Sequence, residues 1–291
     1  MSKSYDFRST REKLPPEAFA YGPEGPDPAP TDLIDAKAWN SITSLPDDVS
    51  IRTSDYHGSE LNIMNRLWGS CIEVLDEDQD AMFHAMLDSA DELQACVYNS
   101  LCGYYRVASS CLRNALELNT IGAFLQVCCS ASELGEWIEG RRKITFGEAC
   151  DHLQGHATTQ PLERLVESKM GYSIFAQKRG EKEEGWIRNI YSQLSGFAHA
   201  RPAVSLARMW EGSNGPVYVP SSFGRVFALY LQTVAVSWIL LKLARPKFNL
   251  PTSAKHLFHS KTVRPSKVAM HSYEFLWGGS IANLADERLA R

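Results

Sequence analysis

The stretch Tyr104–Cys129, YYRVASSCLRNALELNTIGAFLQVCC, decides the fold class. Apolar side chains recur on nearly every side of it: Tyr104, Tyr105, Val107, Cys111, Leu112, Leu116, Leu118, Ile121, Phe124 and Leu125. A helix that is apolar all round is a buried one. Arg106, Ser110, Arg113 and Glu117 follow each other at steps of four, three and four, which puts them on one helical face. Charges inside a buried helix need partners. The segment Arg188–His199 carries the same spacing in Arg188, Ser192, Ser195 and His199. The two stripes are therefore expected to face each other and form an internal polar cluster. Such a cluster either carries a function or is an ion-pair network that only fixes helix register.

Working outward, helices are predicted over 58–76, from Asp80 to about Leu101, and from beyond Gly103 to Cys128. Apolar residues recur at helical spacing in each. Shorter helices follow over 132–139, 145–153 and 161–170. Thr145-Phe-Gly-Glu148 has the form of a capping box, and Pro161 sits at a helix start. The second stripe lies on a helix over 181–198 that Arg201-Pro202 ends. Val204–Trp210 and Pro216–Val219 flank a Gly-rich turn and read as one small β-hairpin. A long apolar helix over 223–244 is predicted to be a buried central helix, since Gln232, Thr233 and Ser237 interrupt it. The expected fold is all-α, an antiparallel helical bundle with that hairpin. Three regions are expected: a Pro/Gly-rich arm over 1–31, a helical domain over 32–250, and a basic, aromatic tail over 251–291.

Composition excludes several classes. The chain of 291 residues is 44% hydrophobic and 22% charged, as in soluble globular proteins. Its seven Cys are odd in number, form no C-x-x-C, and mostly fall in apolar helical patterns. This argues against a disulfide framework and for a reducing, cytoplasmic setting. The polar N-terminus has no apolar core of a secretory signal, and no membrane association is expected.

The net charge of −4 conceals a segregation. No Asp or Glu occurs from Gly212 to Tyr273, and no Lys or Arg from Leu67 to Tyr105. The basic stretch either meets a phosphate-rich partner through Lys255, Lys261, Arg264 and Lys267, or pairs with the acidic one.

Walker loops, G-x-G-x-x-G, G-x-S-x-G and H-E-x-x-H are all missing from the sequence. His152 and His156 have a metal-compatible spacing, but Gly155 between them should end the helix. No metal and no cofactor is expected. The stripes are the candidate site. A guanidinium fork holds phosphate or carboxylate at two points, and a nearby His transfers protons near neutrality. Arg113 and Arg188 would hold phosphate, Glu117 would orient an Arg, and His199 would move a proton in any chemistry. Arg106, Ser195 and Arg201 complete the ligand-binding set. Arg and His without metal suffice to cleave RNA, and equally to bind an anion.

The string Tyr105–Glu117 resembles the R-x-x-L-E helix of bacterial HEPN-like proteins. Tyr191-Ser-Gln-Leu-Ser195-Gly-Phe-Ala-His199 resembles their Y-x-x-L-S-x-x-x-H helix. The resemblance covers roughly residues 80–200. It implies an all-helical protein of an abortive-infection, toxin or phage-defence locus that acts on RNA or a nucleotide and, if catalytic, cleaves RNA without metal. One departure matters. HEPN ribonucleases carry Arg, four to six residues, then His, whereas His199 lies eleven positions beyond Arg188. The formal matches Arg52–His57 and Arg264–His271 fall in poor helical context. The resemblance thus speaks for fold and setting more than for catalysis. Two further readings stand beside it. One is a non-catalytic interaction protein that binds a partner chain or a second copy of itself through the arm and the Tyr273–Trp277 patch. The other is an anion or nucleotide sensor.

Overall fold

The computed structural model describes residues 36–74, 80–177, 184–198, 216–259 and 265–278. Ten α-helices account for most of them, and none of the described residues is in a strand. In chain order the helices are α1 (Ala36–Glu73), α2 (Ala81–Leu101), α3 (Tyr105–Cys128), α4 (Ala131–Ile138) and α5 (Phe146–Gly155). They continue with α6 (Gln160–Met170), α7 (Trp186–Ala198), α8 (Pro220–Ala244), α9 (Thr252–His259) and α10 (Lys267–Trp277). The chain divides into two units, Met1–Ser44 and Leu45–Arg291. The first is described only at 36–44, as the opening of α1.

The all-α class is what the apolar periodicity requires. The small hairpin is not seen: Pro216–Val219 is irregular, and its proposed partner 204–210 lies outside the described residues. The physical reason is visible in the contacts of the short segment. The Val219 amide donates to the Tyr105 hydroxyl at 3.2 Å, and the Tyr218 hydroxyl meets His57 Nε2 at 3.1 Å. A side chain of α3 thus takes a backbone donor that a strand partner would have used.

α3 is the hub, packed against α2, α5, α7 and α8. α2 and α3 run antiparallel. A Cβ on Gly122 would lie 2.4 Å from that of Ala85, and Ser89 Oγ donates to the Ala115 carbonyl at 3.3 Å. Glycine at 122 is what lets the two backbones approach so closely. The turn between them needs Gly103, with φ +82, where a side chain would also strike Val49 and Val217. The hydroxyls inside α3 cause no deficit. Ser109 and Thr120 donate back to the carbonyls of Tyr105 and Leu116, four residues earlier.

The interior expected for 223–244 is met by α8, whose Val234–Leu241 stretch is buried throughout. By length and composition α8 is apolar enough to cross a bilayer, and 78% of that window is buried within the fold. Asn119 Nδ2 donates to Ser237 Oγ at 2.8 Å, so α3 and α8 also meet through a buried polar contact. Asp80 caps α2, accepting from the Phe83 amide at 2.8 Å, and receives both Nε and Nη2 of Arg245. This pair joins the acidic and basic stretches within one molecule, as the pairing reading of the charge segregation requires.

Two regions differ from expectation. α1 is two helices joined at a kink at His57 (φ −130, ψ 23): the second begins at Gly58 as predicted, and a helix that starts at Ala36 and runs past Pro46 precedes it. Arg52 therefore lies inside the first of these helices, and His57 at the kink between the two. The stretch 251–291 is not only a tail. Leu257, Phe258, Val268, Ala269 and Tyr273 of α9 and α10 are buried in the core, and Phe258, Tyr273 and Trp277 stack in a row.

Candidate functional site

α3 and α7 pack together, and the contact between the two stripes runs through Tyr191, which belongs to neither. Arg113 Nη2 donates to the Tyr191 hydroxyl at 2.6 Å, and that hydroxyl donates to Glu117 Oε2 at 3.1 Å. Arg113 and Glu117 face each other at 3.6 Å. The Tyr191 ring is held from both sides. Phe146 stacks on it at 3.8 Å and 8°, and the Arg113 guanidinium lies 4.9 Å from its centre. Burial pushes the Tyr191 hydroxyl above its ordinary pKa, and Arg113 opposes that shift. Tyr191 lies in the sequence three positions after Arg188, on the face that stripe spacing alone passes over.

The first stripe is not an internal one along its whole length. Arg106 is exposed, Ser110 Oγ donates to the Arg106 carbonyl at 3.1 Å, and Arg113 and Glu117 keep 26% and 30% of their side-chain surface. α3 is covered by α7 only near Arg113 and Glu117, so the expected buried charges are half-buried ones.

Arg188 is the buried cation. Its Nε donates to the Phe175 carbonyl at 2.6 Å, and its Nη2 to the Gly147 carbonyl at 3.0 Å and to Asp151 Oδ1 at 2.6 Å. Those acceptors are themselves positioned. Buried Glu163 accepts from the Ser173 hydroxyl and from the amides of Ile174 and Phe175 at 2.6–2.9 Å, which fixes the loop that offers Phe175 O. The same loop covers the start of α7, since Trp186 N and Ile187 N donate to Ser173 O and Ile174 O. The helix N-terminus is therefore closed to an anion. Arg188 Nη1 keeps no hydrogen-bond partner among the described residues, and a Cβ on Gly147 would be 3.7 Å from it.

These elements wall an open cleft of about 880 Å³ between α4, the 139–145 connection, α5 and α7. Its lining includes Trp137, Arg142, Lys143, Arg188, Ser192 and Ser195, with Glu117 and Glu184. Arg142 is paired with Glu133, the acid that closes the capping box of α4. Lys143 is exposed and has no partner among the described residues. Ser195 Oγ is buried with no hydrogen-bond partner, as is Arg113 Nε. Sequence reasoning passed over Trp137, Phe146 and Lys143. They come from segments far from the two stripes, and only their apolar or basic character marks them.

Among the remaining candidates, Arg201 and His199 lie outside the described residues, as do Lys261 and Arg264. Lys255 and Lys267 are exposed on α9 and α10, apart from the cleft lining. His152 stacks on Phe124, whereas His156 Nδ1 accepts from the Thr158 amide at 3.2 Å, so the two rings serve different ends. Among the described residues no three His, Cys, Asp or Glu converge as metal ligands. Comparisons with protein-family models, with curated proteins and with solved structures find no match.

Proposed function

We propose that this chain is a HEPN-like, defence- or toxin-associated protein that engages RNA or a nucleotide in the cleft beside α7. The observation that carries the reading is the meeting of a fixed guanidinium, an unpaired lysine, serine hydroxyls and an indole in one open space. Its volume falls within the range of about 300–1,000 Å³ typical of small-molecule sites. A fully paired, closed cluster would have favoured a scaffold; an exposed, unpaired Lys143 at an open cleft favours a ligand.

Arg188 is held by three acceptors before any ligand arrives, so it costs little to reorganise and serves as a fixed phosphate contact. His199 follows Ser195 by four positions in the sequence and is the proton-transfer candidate if the ligand is cleaved. The test pairs binding with cleavage. Fluorescent RNA oligomers and free nucleotides are titrated against the parent protein and Lys143→Gln, and RNA integrity is followed for the parent and His199→Ala. Loss of binding in Lys143→Gln supports the cleft. Metal-independent cleavage that disappears in His199→Ala makes the protein a ribonuclease; binding without cleavage makes it a sensor. No binding to any of them returns the cluster to a structural role.

A further inference from the structure

We propose that Tyr218, His57 and Glu60 form an activated-tyrosine site, whose hydroxyl accepts an uncharged acyl group from an activated ester or thioester. None of the three lines the cleft beside α7. The arrangement is that of a nucleophile, a base and a group that orients the base. The Tyr218 hydroxyl lies 3.1 Å from His57 Nε2, and His57 Nδ1 faces Glu60 Oε1 at 3.8 Å. A carboxylate on the Nδ1 side keeps the ring proton there and leaves Nε2 to accept the phenol proton. The parts are held in place from several elements. The His57 ring stacks on Phe223 of α8 at 4.2 Å and 18°. On one side of Tyr218, a Cβ on Gly103 would lie 2.9 Å from the Val217 carbonyl oxygen; on the other, the Val219 amide donates to the Tyr105 hydroxyl at 3.2 Å. The Tyr56 ring stacks on that of Tyr218 at 5.7 Å and 22°, and Tyr56 is itself 73% exposed.

Burial, then Tyr56 and Glu60, hold the Tyr218 phenol above its ordinary pKa. It therefore carries little phenolate near neutrality and needs a base to take its proton, the part His57 plays. The same neighbours select the electrophile. Glu60 disfavours further negative charge at the hydroxyl, so a phosphate ester is a poor match and a neutral acyl carbon a good one. The exposed Tyr56 ring beside it gives the acyl donor an apolar face. In the step, the bond from Tyr218 Oη to the acyl carbon forms and the bond from that carbon to the leaving group breaks. The phenol proton passes through His57 Nε2 to the departing oxygen or sulfur. The leaving group must be as good as a phenol, an aryloxide or a thiolate, because transfer from a simple alkyl ester to a phenol runs uphill. The titratable groups facing the pair are Glu60 and Tyr56 of α1 and Tyr105 of α3, while α8 presents the Phe223 ring.

The experiment treats the full chain with para-nitrophenyl acetate and maps acetyl-tyrosine by mass spectrometry. Tyr98 is the internal standard: it is 65% exposed, and its hydroxyl lies against Cys102 rather than an imidazole. Tyr218, although half-buried, is expected to acetylate about a hundredfold faster, the low end of what a positioned base supplies. Its rate should level off near neutrality, where an imidazole has lost its proton, while that of Tyr98 keeps rising about tenfold per pH unit with its phenolate. His57→Gln should bring Tyr218 down to the rate of Tyr98. Glu60→Gln should slow Tyr218 alone, and Glu60→Asp should recover part of the rate, which a merely structural role would not give. Circular dichroism checks each fold; should His57→Gln not fold, the pH profile of the parent decides. Equal rates at Tyr218 and Tyr98, or a Tyr218 rate that climbs with pH like that of Tyr98, overturn the proposal. So does a Tyr218 rate unchanged in folded His57→Gln. Para-nitrophenyl phosphate is the second probe, and phosphorylation of Tyr218 in preference to acetylation overturns the choice of an acyl group.

Discussion

Arg113 and Tyr191 lie 78 positions apart, yet the guanidinium both donates to the tyrosine hydroxyl at 2.6 Å and covers its ring at 4.9 Å. That double contact ties α3 to α7 and sets one wall of the cleft. It also separates two energies that substitution can distinguish. Tyr191→Phe removes only the hydroxyl and should cost about 0.5–1.5 kcal/mol, near the low end because Arg113 and Glu117 still reach water. Tyr191→Ala also removes the stack on Phe146 and should cost about 3–5 kcal/mol. Urea denaturation of the two variants checks the order. Equal losses would mean that the ring contributes nothing beyond its hydroxyl.

The Arg188–Asp151 pair is predicted to respond asymmetrically. Asp151 is 62% exposed, so Asp151→Asn should cost under about 1 kcal/mol. Arg188→Met leaves the Phe175 and Gly147 carbonyls without their donor and should cost about 3 kcal/mol or more. A carboxylate that proves as costly to lose as the guanidinium would contradict the assignment of Arg188 to the two carbonyls. Melting temperatures of the two variants decide it.

Glu133 links the cleft rim to pH. The Ser130 amide, then the Arg142 and Ser130 side chains, hold its carboxyl at about 2, below the ordinary 4.5. A folded value below the unfolded one favours the folded state above pH 4.5, and the contribution fades as pH falls through about 2. Parent and Glu133→Gln should therefore differ in melting temperature by a constant amount above pH 4.5 and converge between 4.5 and 2. Added salt should narrow the gap, because the pair is half-exposed and solvent ions reach it. A gap that widens on acidification would reverse the sign of the argument.

The thiols should fall into two kinetic groups. Burial pushes Cys71, Cys111 and Cys150 up to about 12, so they carry almost no thiolate under native conditions. Burial raises Cys128, to about 11, and Cys129 as well, so what sets this pair at the end of α3 apart is its intermediate exposure. Alkylation mapped by mass spectrometry at mildly alkaline pH should label the pair at the end of α3 first, and the buried three only as the protein unfolds. Labelling of Cys71 at the rate of Cys128 would show that the core opens far more readily than its packing implies.

What the sequence determined by itself is local. The apolar recurrence in Tyr104–Cys129, the Asp80 cap and the Thr145–Glu148 capping box are each complete within one turn or one helix, so the all-α class and most helix positions are legible without tertiary information. Local reasoning failed where local signals conflict. Nothing ahead of 58 is predicted helical, yet a helix runs from Ala36 through Pro46 to the kink at His57, and the basic composition of 251–291 hid the buried spacing of α9 and α10. The candidate site belongs to the tertiary structure. The stripe spacing brought Arg113 and Arg188 to notice, but a period cannot say which neighbour a side chain meets. Packing decided that Arg113 is satisfied by Tyr191, and that Arg188 turns to two carbonyls and Asp151. Packing also gathers Lys143 and Trp137 from segments outside both stripes into the same cleft. Hydrogen-bond partners and open faces depend on which helices come together, and that is decided by burying apolar surface across the whole chain, not by the residues of the site.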